Sequence, residues 1–215
     1  MIHPDKRMLG AQLFGRIDPY VFSGVWAKNK IMSLSEAYFP PLYVDGQLYE
    51  FDHLNPFQLV VPSKLARKDL VVDIKFTNHC FSYGDEDTDA DEGVLFDQNG
   101  KRRLFCPDRY ELSLELPGIL EAMNSAPVKV RQTTARRNWS HVIQVDNDEL
   151  PYDGPYYVFF ELKRASREDG DDLKLTVESA YHEKEGYDPP RLLGRMGFQL
   201  LCGKVYLKQP VSTKR

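Results

Sequence analysis

His141, Glu161, Ser179, Tyr181 and His182 lie on three consecutive strand-like runs near the C-terminus. Their side chains supply the imidazole, carboxylate and hydroxyl groups that cleavage of RNA by transphosphorylation requires. That reaction needs a base for the 2′-hydroxyl, an acid for the leaving 5′-oxygen, and donors or cations for the crowded phosphorus. His141, Glu161 and His182 are the candidate base and acid. Ser179 and Tyr181 are candidate hydrogen-bond donors. Arg136, Arg137, Lys163 and Arg164 are candidate phosphate holders, the arginines by a bidentate fork. The scheme uses no metal and no cofactor. Each residue also has a plain structural use. A histidine at a strand end packs in a core, Lys163-Arg164 makes a solvated strand end, and Glu161 opposite Lys174 makes a cross-strand ion pair.

A second group joins His79-Cys80 to Cys106, with His53 as a further ligand. These types bind zinc, but the chain has no Cys-x-x-Cys or His-x-x-x-His pair to anchor such a site. Cys80 beside His79 or His141 could instead serve as a nucleophile if its thiolate were stabilised. Buried packing is the structural alternative for the cysteines. From Asp87 the chain starts like a calcium loop, yet Gly93 falls one position late and Gln98 stands where a glutamate belongs, so an EF-hand is rejected. Phosphate-binding and dinucleotide glycine motifs are absent, as is Gly-x-Ser-x-Gly.

The elements that must hold these groups are legible in part. Residues 42–51 alternate around Asp45-Gly46, a two-residue hairpin signal. Leu70 to Thr77 reads as a strand. Residues 85–92 carry six acids in eight positions and are expected to form a solvated loop. Val94–Phe105 is a second hairpin turning at Asn99-Gly100. Residues 108–124 form the best helix, broken or kinked at Pro117-Gly118. Strands follow at Val128–Gln132, Trp139–Asp146, Tyr156–Arg164, Leu173–Tyr181 and Phe198–Leu207. Their short connections force antiparallel neighbours. Strict alternation then places His141, Ser179 and Tyr181 at the polar end of one apolar face.

Composition limits the alternatives. The chain has 215 residues, 42% hydrophobic and 28% charged, with net charge −4. Residues 126–215 hold 15 Lys/Arg against 13 Asp/Glu, and residues 1–125 hold 13 against 19. That excess is too small for a stable duplex-DNA binder but allows a transient RNA substrate. No apolar run is long enough to span a membrane. Three cysteines and an N-terminus without a secretory signal suit a cytoplasmic protein.

The His-bearing strand Trp139-Ser140-His141-Val142, the aromatic strand Tyr156–Leu162 and the strand ending Val177-Glu178-Ser179-Ala180-Tyr181 resemble the nuclease-type fold group of barnase, EndoU, colicins and RelE-like toxins. Phe105–Ser113 is similar to segments of bacterial proteins. The resemblance implies a toxin-like effector of a phage or mobile element, acting on RNA and answered by a protein partner such as an antitoxin. The expectation is an α+β chain: an N-terminal region of hairpins and short helices (1–125), and an antiparallel meander packed on one or two helices (126–215), as two regions or one continuous domain. The leading function is a metal-independent endoribonuclease. A non-catalytic protein-interaction module and a cysteine- or zinc-dependent hydrolase are the alternatives.

Overall fold

The computed structural model describes residues 37–84, 92–125, 129–133, 141–145, 150, 154–166, 168, 170–182 and 189–211. The protein is α+β. Its first hairpin, β1 (Leu42–Val44) and β2 (Gln47–Tyr49), closes through Asp45 and Gly46 at φ +49° and +78°. Both central residues are left-handed, which matches the turn to the strands' twist. Leu42, Val44 and Tyr49 pack on the core, whereas the opposed pair Tyr43 and Leu48 is exposed.

A seven-stranded sheet forms the frame. It contains β3 (Phe57–Ser63), β4 (Lys68–Phe76), β8 (Lys129–Thr133), β9 (His141–Val145), β10 (Tyr156–Arg164), β11 (Leu173–His182) and β12 (Leu192–Gly197), in the order β12-β8-β9-β10-β11-β4-β3. β8 to β11 form the antiparallel meander that their short connections dictate. β4 then pairs with β11 in parallel, so one sheet crosses the division near residue 125. A three-stranded sheet, β5 (Ser82–Gly84), β7 (Arg102–Phe105) and β6 (Val94–Phe96), carries the second hairpin, with Gly100 at φ +72°.

Helices α1 (Pro107–Ser113) and α2 (Leu116–Ser125) are separated at Leu114-Glu115, just before the expected break. Pro117 instead lies in the first turn of α2, where its missing N–H costs nothing. Phe198–Leu207 is not a strand: Phe198–Tyr206 is helix α3. Phe198, Leu201, Cys202 and Val205 recur at helical spacing and face the core, while Leu200 is exposed. The three helices share the core with one sheet face, where Val72, Ile74, Val158, Phe160, Leu175 and Val177 meet Leu112, Leu120, Phe198 and Leu201. A smaller cluster of Val142, Tyr157 and Phe159 lies on the opposite face, with Tyr181 and Leu192 against it.

The decisive irregularity is in β11. Phe160 stands opposite Val177 and Phe159 opposite Ser179, leaving Glu178 as an extra residue. Such a bulge reverses the alternation beyond it. Among the described residues no helix is long and apolar enough to cross a membrane. Arg136, Arg137, Trp139 and residues 85–91 of the acidic loop lie outside the described residues.

Gly203 sets how closely α3 approaches the β3–β4 turn. A Cβ there would lie 2.6 Å from Ser63 Oγ and 3.0 Å from Leu65 Cβ. Gly203→Ala is expected to destabilise the fold by about 1–3 kcal/mol, by forcing the helix outward. Urea denaturation checks this, and an unchanged midpoint would show that the helix can shift freely.

Candidate functional site

Register sorts the sequence candidates onto two faces. His141 opposes Phe160 and His182 opposes Tyr156, so both histidines share the helix-covered face. Ser179 opposes Phe159, Tyr181 opposes Tyr157 and Glu161 opposes Thr176, on the other face. The expectation that His141, Ser179 and Tyr181 end one face is therefore corrected, and the bulge at Glu178 is the reason. His141 is buried and stacks on Phe160 with ring centroids 5.5 Å apart. Burial pushes its pKa down to about 4. Glu161 bonds Lys163 at 2.7 Å. Arg164 lies at the far end of the hairpin, beside Tyr206.

Chemical groups converge instead where β4 ends against the bulge. Thr77 leaves β4 with its N–H bonded to the Val177 carbonyl and its hydroxyl to the Glu178 carbonyl at 2.8 Å. The same hydroxyl accepts the His79 N–H, capping the 3₁₀ turn Asn78–Cys80. His79 Nε2 lies 3.3 Å from Asp97 Oδ2. Arg109 of α1 donates to the carbonyls of His79 and Ser82 at 3.2 and 2.7 Å. Its guanidinium lies over the Tyr181 ring, 5.4 Å from the centroid. Arg103 of β7 binds the Ser82 hydroxyl and carbonyl, both at 2.8 Å. Tyr181 in turn stacks on Phe159 at 5.2 Å.

This geometry fixes a tautomer. An ionised carboxylate only accepts, so the His79 proton sits on Nε2 and the lone pair on Nδ1. Burial and the positive charge of Arg103 push the His79 pKa down to about 4, against the pull of Asp97. The imidazole is therefore neutral at pH 7. Burial works to raise the Asp97 pKa, but bonds from the Lys101 and Asn99 N–H groups and from His79 outweigh it and hold the pKa below its ordinary value. Glu178 is buried, and desolvation together with the nearby Glu161 charge raises its pKa, Lys163 opposing. A neutral base and two guanidinium groups thus flank one strand end, and the Glu178 carboxyl on the neighbouring bulge, biased toward protonation, faces Glu161 and Lys163. Sequence reasoning singled out His79 and Tyr181 in separate groups and used Glu178 only as a strand residue. Asp97 and Arg109 had no signal of their own, because they reach His79 only through the fold.

The cysteines point elsewhere. Cys80, Cys106 and Cys202 are free and buried. Burial pushes the Cys80 thiol up to about 12 and raises Cys202 strongly as well. Burial thus favours the neutral thiol of Cys80 at pH 7. His53 bonds Ser113 at 2.8 Å, and Ser113 donates to the Tyr110 carbonyl, a tie between the turn after β2 and α1. Among the described residues no group of three histidine, cysteine or acidic side chains could hold a metal.

A family model described as the YjaZ family matches residues 41–206, and the chain belongs to that family. The match runs from β1 through α3 and takes in the whole cluster around His79. No curated protein matches the chain, and no solved structure does.

The neutral histidines make stability depend on pH. His53, His79 and His141 all hold pKa values of about 4 in the folded chain, against 6.5 for a free imidazole. Between those values the unfolded chain binds more protons, so stability is full above pH 6.5 and falls as pH drops toward 4. His141→Phe is expected to flatten the decline between pH 6.5 and 5, measured as the urea midpoint. The same slope in both proteins would mean that His141 is protonated in the fold.

Proposed function

We propose that this member of the YjaZ family is a metal-independent endoribonuclease whose reacting groups are His79, Glu178 and Arg109, with Asp97 and Tyr181 positioning them. The observation that carries the reading is the Asp97–His79 pair, which leaves a neutral imidazole with an acceptor Nδ1 beside two arginines. In the reaction Nδ1 takes the proton of a 2′-hydroxyl. The resulting oxygen attacks phosphorus while the 5′-oxygen leaves, giving a 2′,3′-cyclic phosphate and a 5′-hydroxyl end. Glu178, raised by burial, returns a proton to the leaving oxygen. Arg109 balances charge on the phosphorane oxygens. Asp97 steadies the imidazolium formed on the way.

The two titrations set an acidic optimum. Activity rises as His79 loses its proton through about pH 4 and falls as Glu178 ionises at higher pH. His141 and His182, on the helix-covered face, have no part in this scheme.

A second reading has an observation of its own. Tyr43 and Leu48 stand directly opposed on the first hairpin, 66% and 55% exposed, and Phe96 on β6 is 65% exposed. Such side chains favour a protein-interaction module.

The test is incubation with total RNA and with tRNA, with and without EDTA, at pH 4 to 8. Cleavage that persists in EDTA and peaks on the acid side is expected. His79→Gln and Glu178→Gln should each lower the rate by about a hundredfold to ten-thousandfold. Intact RNA throughout would discard the enzyme and leave the interaction module. Cleavage unaffected by either substitution would discard the site.

A further inference from the structure

The far end of the β10–β11 hairpin carries a second feature, roughly 20 Å from Glu178 along β11. A cavity of about 480 Å³ opens there, lined by Arg164, Ala165, Ser166, Asp171, Asp172, Tyr206 and Lys208. That volume suits a nucleotide-sized ligand and is larger than a bare anion needs.

The charges in it are not equivalent. Asp172 accepts Lys68 Nζ at 2.7 Å and the Val71 N–H at 3.0 Å. Asp171 accepts Gln58 Nε2 at 2.7 Å. Both carboxylates are thus held by protein donors, and Lys68 neutralises one of them. Arg164 and Lys208 are both exposed, and the Arg164 charge reaches Asp172 only at longer range, helping Lys68 hold that carboxyl below its ordinary pKa. Arg164 lies over the Tyr206 ring, 5.0 Å from its centroid, and Lys68 lies 5.1 Å from the same centroid. The ring holds the guanidinium at the wall while its donors stay available. Lys208 is fixed by the tight turn that ends α3, with φ +55° and its N–H on the Val205 carbonyl.

From this cavity and its two exposed cations we propose a binding site for a phosphomonoester, in which Arg164 grips the phosphate by its fork and Lys208 adds a second charge. Arginine is suited to this because its planar donors match two phosphate oxygens at once. The phosphate could belong to a free nucleoside monophosphate or to the end of an RNA chain, since both present the same dianion. The site shares no residue with the cluster around His79, so it stands or falls apart from the ribonuclease reading.

Titration calorimetry of the full chain tests it, with AMP, adenosine, and a short RNA bearing either a 5′-phosphate or a 5′-hydroxyl. AMP or the phosphorylated RNA is expected to bind with one site per chain, and adenosine and the 5′-hydroxyl RNA are not. AMP alone would assign the free nucleotide, and the phosphorylated RNA alone would assign the RNA end. Arg164→Ala and Lys208→Ala should each weaken binding about tenfold or more, with circular dichroism unchanged because both side chains are exposed. Lys101→Ala, remote in sequence and on another turn, should leave it intact. Absence of binding by every phosphate-bearing probe at millimolar concentration would overturn the proposal. Equal affinity for adenosine and AMP, or full affinity in both variants, would overturn it too.

Discussion

The site depends on one hydrogen bond, from the Thr77 hydroxyl to the Glu178 carbonyl. A carbonyl left out of the ladder by a bulge needs a donor, because burying it unpaired would cost about 1–3 kcal/mol. Thr77 meets that need at the point where β4 has just finished pairing with β11 in parallel. The same oxygen accepts the His79 N–H and starts the turn that swings the imidazole round to Asp97. One hydroxyl therefore ties the irregularity in the central strand to the position of the base.

The bulge also changes what the sheet faces carry. Before it, Leu173, Leu175 and Val177 feed the main core; after it, Ser179 and Tyr181 turn to the other face and Ala180 returns to the core. Tyr181 then lies against Phe159 and beneath Arg109. Arg109 is partly buried, which lowers its pKa from the ordinary value, and an arginine keeps its charge in a protein. One terminal nitrogen of its guanidinium, Nη1, donates to two backbone carbonyls, so the arginine costs little to order when a phosphate arrives.

Much of the frame was legible in the sequence. Alternation and short connections identify β9, β10 and β11, and Asp45-Gly46 and Asn99-Gly100 mark the turns of the β1–β2 and β6–β7 hairpins. The failures have physical causes. Phe198–Tyr206 is a short, largely apolar run whose type periodicity alone does not decide, and burial of Phe198, Leu201 and Cys202 against the sheet goes with the helix. β3 has no counterpart in the sequence reading; it carries Pro62, which alone would count against a strand, yet β3 is an edge strand, where proline is tolerated. The site was the least legible part. Val177-Glu178-Ser179-Ala180-Tyr181 gives no local sign of an extra residue, and the hydroxyl that satisfies the bulged carbonyl comes from Thr77, about a hundred residues earlier. Strict alternation through that point put Ser179 and Tyr181 on the face of His141. It also hid the neighbourhood of His79, whose partners Asp97 and Arg109 are distant in sequence.

The claim at the centre of this account is that the fold holds His79 as a neutral imidazole with its proton on Nε2. Nitrogen-15 NMR of the histidine side chains, followed from pH 7.5 to 3.5 and assigned by comparison with His79→Gln, reads both properties directly. The account predicts the Nε2–H tautomer at neutral pH and a titration near pH 4. A midpoint near 6.5, or a proton on Nδ1, would contradict it, because the imidazole would then be either solvent-exposed or turned away from Asp97.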